Sequence, residues 1–303
     1  MPIVAKVDTQ ETAELGDLVE FMLDQKIDTT SHDDMLATSE LLRKIGNNKR
    51  LVADFALHNL KNRADYDASR VSYGPQTIML HHDRSQNFYI RANFWPSEND
   101  HIFRASQSKS FFYYVPHDHN FNFMTVGHLG PGYRSNYYEY DYTQVDGYPG
   151  EKVNLKFVED TALHEGKVML YRAFTDVHDQ RPGERMSMSI NIMESTLRGS
   201  FMDQYQFDVE RGIITDLVNR VPAQALMSIV AMADEGNGID FLHEVSRAHP
   251  SGRVRCLAVG ALASAQHGLD AAREFYRSGS ANDQEQVRGY CRTRLMALEE
   301  LAG

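Results

Sequence analysis

Two histidines separated by one residue are the feature of this sequence with the clearest capacity for chemistry. They are His117 and His119, in the stretch YVPHDHNFNF at residues 114–123. On an extended strand, residues i and i+2 point to the same face, so both imidazoles would converge and Asp118 would turn away. Two neutral imidazoles on a rigid strand form half of a site for iron, nickel, copper, manganese or zinc. The alternative is a pair of hydrogen-bonded surface histidines, because this spacing is common.

A third histidine lies downstream in a pattern that gives the pair a context. His178 ends a predicted strand in GKVMLYRAFTDVHDQRPGERMSMSINI, and a further strand with Asn191 follows it. Between the pair and His178 lie another predicted strand and Gly130, in a Gly-Pro-Gly turn. This order resembles the two signature motifs of the cupin superfamily, over roughly residues 105 to 195. The resemblance implies a double-stranded β-helix with a metal ion held by His117, His119 and His178.

The sequence departs from the cupin pattern in ways that bear on the metal. The glycine expected six places before His117 is Phe111, the Pro-x-Gly before His178 is missing, and the metal-binding glutamate falls on Phe123 or Met124. Three histidines without a carboxylate are similar to the thiol-dioxygenase branch of cupins. This resemblance implies Fe(II), O2 and a small polar substrate, while Zn, Ni or Mn stay open as metals. Glu139, in YYEYDY, either supplies a carboxylate or faces outward.

Three arginines are candidates for holding a substrate carboxylate, because a planar guanidinium fits a carboxylate with two hydrogen bonds. Arg91 lies in FYIRANFW, and Arg172 is predicted to share a strand and a face with His178. Arg104 comes just before the strand predicted to enter His117, and we also assign it to the catalytic group. The alternative for each is a surface arginine.

Two further side chains complete the predicted site. Tyr138 shares a predicted strand face with Tyr140, and a phenol beside an oxidising metal can donate a hydrogen bond to bound oxygen; the alternative is packing. Asp176, two residues before His178, is predicted to orient an imidazole from behind.

Around these residues the sequence predicts an α+β fold in three parts. Residues 1–69 carry apolar residues at helical spacing, and residues 70–200 contain short aromatic and β-branched segments separated by turns. That second pattern is typical of an antiparallel β-barrel. Residues 201–303 are again helical and repeat every 33 residues, with equivalent positions at Val221/Val254/Val287, Ala225/Ala258/Cys291 and Ile229/Leu262/Leu295.

The helical repeat predicts an interaction surface. Such a period is the mark of a solenoid, and the copies resemble HEAT-type repeats. Solenoids usually present a surface to proteins, so we expect a homodimer or another protein partner through the C-terminal helices. The alternative is a scaffold that covers the barrel.

Composition excludes several classes of function. The net charge of −11 disfavours binding to a phosphate backbone, so no nucleic-acid partner is expected. No apolar stretch reaches the roughly 18 residues needed to cross a membrane, and the N-terminus has no apolar leader. Two cysteines, Cys256 and Cys291, make no disulfide framework. Together these features predict a cytoplasmic protein.

The leading hypothesis is therefore a cytoplasmic Fe(II)-dependent cupin oxygenase or dioxygenase that acts on an amino acid, a thiol or a related carboxylate. One alternative is a non-catalytic binding or regulatory protein that uses the helical repeat to contact a partner. The other is a Zn or Ni isomerase or hydrolase.

Overall fold

The computed structural model describes residues 1–61, 76–106, 108–219, 222–233 and 236–301. These form two compact units, each made of two chain segments: Met1–Asp141 with Leu155–Gln204, and Tyr142–Asn154 with Tyr205–Gly303. The predicted boundary at residues 69 and 70 lies outside the described residues, as does Val221 of the repeat.

The first unit contains the strands and the amino-terminal helices. Its strands are β1 Ile3–Ala5, β2 Thr77–His82, β3 Phe88–Trp95, β4 Phe123–Leu129, β5 Arg134–Glu139, β6 Lys156–Ala162, β7 Val168–Tyr171, β8 Asp176–Arg181 and β9 Ser187–Glu194. Its helices are α1 Leu15–Asp24, α2 His32–Ala37, α3 Ser39–Asn47, α4 Leu51–Lys61, α5 His101–Ser106 and α6 Arg198–Phe201.

These strands form two sheets, and their pairing is antiparallel, as the sequence predicts. One sheet has six strands in the order β1-β7-β4-β9-β3-β2, and the other has three in the order β6-β5-β8. Among the described residues the pairings make two separate sheets, and the predicted barrel closure stays a prediction. The segment beside β8 that would extend the small sheet contributes only isolated bridges, Tyr113 to Gln180 and His117 to His178. Pro116 lies between them and has no amide hydrogen to continue a ladder.

The large sheet separates two cores because its strands alternate. On β3, Ile90 and Ala92 face a core shared with the amino-terminal helices, which contribute Leu18 and Leu42. Residues on the opposite face join a second core that is rich in aromatic side chains, among them Trp95, Phe111, Tyr113, Phe123, Tyr133, Tyr137 and Tyr171. Tyr137 comes from β5, so this aromatic core is built by both sheets. It is the face on which the predicted site falls.

The second unit is helical apart from one hairpin. The hairpin pairs β10 Tyr205–Asp208 with β11 Ile213–Leu217. The helices are α7 Pro222–Ala233, α8 Asn237–Ala248, α9 Gly252–Ser264, α10 Leu269–Gly279 and α11 Glu285–Glu300.

The predicted repeat falls on alternate helices, α7, α9 and α11. Ala258, Leu262 and Cys291 are buried at its equivalent positions, whereas Ile229 on α7 is 59% exposed. The HEAT-type relationship and the partner surface stay predictions. None of the described helices combines the length and apolar character that a bilayer span requires.

Candidate metal centre

The three predicted histidines meet in the aromatic core of the first unit. His178 Nε2 lies 3.2 Å from His117 Nε2 and 3.1 Å from His119 Nε2. All three side chains are buried, and among the described residues they form the one group of ligand atoms close enough to hold a metal ion. Three imidazole nitrogens therefore point at a single position.

Backbone hydrogen bonds set this convergence. His117 and His178 exchange both amide–carbonyl bonds, at 3.1 Å and 3.0 Å, and the His119 carbonyl accepts from the Phe174 amide at 2.8 Å. His117 lies in an isolated bridge and His119 lies outside any regular strand, because β4 begins only at Phe123. Asp118 is turned away as expected, and its Oδ2 accepts from the Tyr140 hydroxyl at 2.6 Å.

The far side of the His117 ring determines which of its nitrogens carries the proton. The Nδ1 of His117 lies 2.7 Å from the Val115 carbonyl oxygen, and a carbonyl only accepts, so Nδ1 bears the hydrogen and Nε2 keeps its lone pair. The Nδ1 of His119 lies 3.3 Å from the side-chain amide of Gln204, which also donates to the Asp118 carbonyl at 2.7 Å. The Nδ1 of His178 is buried and has no hydrogen-bond partner among the described residues.

Burial keeps the three imidazoles neutral. It lowers the pKa of His117 to about 4, and lowers the pKa of His178 well below its usual value. Burial also lowers the pKa of His119, and the other two imidazoles and the Arg91 guanidinium add to this effect. Neutral imidazole is the form that binds metal ions.

The donor set fits a divalent transition metal. Metal–nitrogen bonds of about 2.0–2.1 Å at angles between 90° and 109° place ligand nitrogens roughly 2.8–3.4 Å apart. The two separations between imidazole nitrogens, 3.1 Å and 3.2 Å, lie in this range. Without a cation, neighbouring lone pairs at this distance would repel unless a proton bridged them. No carboxylate of the described residues belongs to the group.

Three tyrosines line the aromatic core next to the histidines. The Tyr171 hydroxyl lies 2.7 Å from that of Tyr137 and 3.3 Å from that of Tyr133. The Tyr137 ring stacks on His178 with centroids 6.4 Å apart, and the Tyr171 ring meets the same imidazole edge-on at 5.1 Å. Burial raises the pKa of all three phenols, so they remain protonated and able to donate hydrogen bonds.

Arg91 lies on the same face of β3 as the aromatic core. It pairs across the sheet with Asn191, whose side-chain oxygen accepts from the Thr125 hydroxyl at 2.6 Å. Its charge acts on His119 and on Tyr133. Of the three candidate arginines, Arg91 is thus the one placed on the histidine side of the sheet.

Tyr138 and Arg104 lie elsewhere. Tyr138 is opposite Val177 on β8 and packs on Phe157, while its neighbour Tyr137 is opposite His178. The alternation of β5 therefore brings Tyr137, instead of the predicted Tyr138, to the histidines. Arg104 is exposed on the short helix α5 and donates to Glu98 and Asn99, because the expected strand before His117 is helical at this point.

Arg172, Asp176 and Glu139 form an ion-pair group of their own. Arg172 Nη2 lies 2.7 Å from a carboxylate oxygen of both Asp176 and Glu139. The sequence predicts that Arg172 and His178 share a strand. Arg172 instead lies between the end of β7 and a turn, and His178 lies on β8. Asp176 accepts hydrogen bonds from Arg172 and does not contact the His178 ring nitrogens. Glu139 does not belong to the group of metal-binding histidines.

An aromatic rim adjoins the histidines. The Phe112 ring is 40% exposed and lies 5.3 Å from the His117 ring, and Phe121 lies 5.0 Å from His119. Phe112 and Tyr114 both have positive φ, 56° and 60°, a conformation that costs non-glycine residues energy. Such strain is often found beside functional sites.

Gln204 and Tyr171 are site residues that the sequence motifs do not reveal. Gln204 lies 85 residues from His119 along the chain and reaches it only through folding. Tyr171 is at an odd spacing from His178, and a turn between β7 and β8 brings it back to the cluster.

No protein-family model matches the sequence, and comparison with curated proteins finds no match. Solved structures with some likeness include the DMSP lyase DddQ from Ruegeria pomeroyi, with 12% identity and a TM-score of 0.24 over 44% of this chain and 52% of that chain. Procruciferin, an 11S globulin from Brassica napus, has 12% identity and a TM-score of 0.27 over 43% of this chain and 28% of its own. A cupin-like protein from Thermotoga maritima has 11% identity and a TM-score of 0.23 over 45% of this chain and 86% of its own.

This chain thus spans about half of the lyase and 28% of the globulin. At TM-scores below 0.3 these likenesses carry no assignment of function, which has to come from the site itself.

Proposed function

We propose that this protein is a cupin-type metal enzyme, an Fe(II)-dependent oxygenase or dioxygenase that acts on a small polar carboxylate. The observation that carries the proposal is the convergence of three neutral imidazole nitrogens, His117, His119 and His178, at one buried position. Fe(II) bound there by neutral ligands would supply a redox-active centre with coordination positions open to substrate and O2.

The surrounding residues would bind and orient the substrate. The Arg91 guanidinium, on the face shared with the histidines, is suited to hold a carboxylate through two parallel hydrogen bonds. This supports an amino acid, a thiol with a carboxylate, or a related acid as the substrate. A carboxylate at Arg91 would fix the orientation of the remaining atoms toward the three imidazoles.

The tyrosine hydroxyls would stay protonated, and the aromatic rings would keep water out of the site. The Tyr137 and Tyr171 hydroxyls remain protonated because burial raises their pKa values, and each already shares a hydrogen bond with the other. Phe123 stacks on Tyr171 with centroids 4.3 Å apart and covers His119 edge-on. The site is therefore walled by aromatic rings, which strengthens the electrostatic interactions inside it.

Metal analysis after anaerobic loading with Fe(II) tests the proposal. We expect about one iron per chain in the wild type and none in a variant in which His117, His119 and His178 are all alanine. His82→Ala is the matched control, because His82 is exposed on β2 and should leave iron content unchanged. A correctly folded wild type that retains no iron would refute the metal centre.

Oxygen consumption separates the oxygenase from the other functions. Iron-loaded protein given amino acids, thiols and small carboxylates should consume O2 with at least one of them, and Arg91→Gln should raise KM for that substrate more than it lowers kcat. Turnover with Zn or Ni and no O2 uptake would indicate an isomerase or hydrolase instead. Binding without any turnover would indicate a ligand-binding or regulatory protein.

A further inference from the structure

The second unit contains a cavity that the proposed metal chemistry does not use. Its volume is about 510 Å³, within the range of small-molecule sites. Its walls come from the loop at residues 147–149, the end of β11, and the helices α7, α9 and α11. All of these segments belong to the second unit.

The cavity wall is cationic although the chain is acidic. Arg253 and Arg294 line it, and Asp216 is the one carboxylate among its described lining residues. Asp216 Oδ1 already accepts a hydrogen bond from the Leu217 amide at 2.8 Å. Two guanidiniums against one carboxylate leave the described lining with a formal charge of about +1, in a protein of net charge −11.

The loop that closes the cavity is held in place without a ligand. The buried Glu151 carboxylate accepts from the backbone amides of Asp146, Gly147 and Tyr148, at 2.8 Å, 2.7 Å and 3.3 Å. From α11, Thr293 donates its hydroxyl to the Pro149 carbonyl at 2.6 Å. A wall ordered in advance reduces the entropy lost on binding.

The charged and the apolar residues that line the cavity indicate which class of ligand it would bind. Arg294 and Arg253, whose Nη2 donates to the Asn219 carbonyl at 2.7 Å, carry the planar guanidinium groups that match carboxylate and phosphate oxygens. Tyr148, Leu257 and Tyr290 add apolar and aromatic surface to the same cavity. Burial raises the pKa of Tyr290, so its phenol stays neutral and does not repel an anion.

We propose that this cavity binds a small organic anion, in which one carboxylate or phosphate group contacts Arg253 and Arg294 and an apolar body packs on Tyr148 and Tyr290. The site lies in the helical unit and does not depend on the metal chemistry of the first unit.

Calorimetric titration of the full-length protein tests this proposal with three probes: phenyl phosphate, benzoate and the uncharged benzyl alcohol. We expect saturable one-to-one binding of at least one of the two anions and none of benzyl alcohol. Tighter binding of phenyl phosphate would assign a phosphate ester, and tighter binding of benzoate a carboxylate. Absence of saturable binding by both anions would overturn the proposal.

Variants locate the binding. Arg294→Gln should weaken it at least tenfold, and Ala297→Trp should block it by filling the cavity while both arginines remain. Arg277→Gln is the control, because Arg277 is exposed on α10 and pairs with Glu274 at 2.9 Å away from the cavity lining. Equal loss in the Arg277 variant, or full binding in the Ala297 variant, would refute the site. The triple histidine variant should bind the anion as the wild type does.

Discussion

How tightly each histidine can bind a metal ion depends on the groups that contact the far side of its imidazole ring. His117 is fixed by the Val115 carbonyl, which is a backbone group and tolerates any side chain at that position. The His119 ring contacts the side-chain amide nitrogen of Gln204, which also donates to the Asp118 carbonyl. Such supporting contacts typically change metal affinity by 10- to 100-fold when they are lost.

We therefore expect Gln204→Ala to weaken metal binding by about 10- to 100-fold while the protein stays folded. The variant loses the amide beside His119 Nδ1 and the hydrogen bond to the Asp118 carbonyl, both of which position the His119 ring. Competition with a chromophoric chelator measures the affinity.

Gln206→Ala is the matched control, because Gln206 is half-buried two residues further along the chain and is not a contact of the histidines. An unchanged affinity in Gln204→Ala would show that His119 is oriented by its backbone alone.

The sequence predicts the histidines better than their surroundings, for a physical reason. The i, i+2 spacing predicts that His117 and His119 share a face, and both ring nitrogens lie beside that of His178. The positions of Tyr138 and Arg172 depended in addition on the register of β5 and on where β7 ends. A shift by one residue moves a side chain to the other face, and for that reason Tyr137 lies at the site.

At the scale of elements, the Gly-Pro-Gly turn between β4 and β5 shows what a local pattern can predict. Gly130 and Gly132 both have positive φ, 82° and 83°. The turn therefore follows from the glycines themselves, whereas the pairing of β4 with β7 and β9 rests on contacts distant in sequence. The division of the described strands into two sheets has no signature within one strand.

We expect Gly132→Ala to destabilise the first unit by at least about 2 kcal/mol. An added Cβ would lie 2.0 Å from the Leu163 carbonyl oxygen, and the positive φ disfavours any side chain. Thermal unfolding followed by circular dichroism should show a melting temperature lower by roughly 4–8 °C.

Gly16→Ala provides the opposite case, because Gly16 lies in α1 with nothing within 4 Å of the added atom. That variant should be neutral or more stable by up to about 1 kcal/mol. Equal stability of the two variants would contradict the packing described for the turn.

At the scale of the whole molecule, each compact unit has its own core. Leu42 is fully buried in the core that joins the amino-terminal helices to the large sheet. Leu262 is 2% exposed in the core of the helical unit. The sequence predicts strands for residues 70–200 and helices for residues 201–303, but not the hairpin of β10 and β11. It also does not predict that residues 142–154 belong with the helices, because that contact is made by a short segment without a pattern of its own.

We expect the two units to unfold in separate calorimetric transitions, since each buries its own core. Leu42→Ala and Leu262→Ala should each lower one transition, by about 2–5 kcal/mol of unfolding free energy, and leave the other unchanged. The proposed metal site lies in the first unit, so metal at 100 times its dissociation constant should raise only the transition that Leu42→Ala lowers, by about 2.7 kcal/mol. Differential scanning calorimetry with and without anaerobic Fe(II) measures both effects, and the triple histidine variant should lose only the metal response. If a single transition responded equally to both leucine substitutions, the two units would unfold as one cooperative body and the metal would stabilise the entire chain.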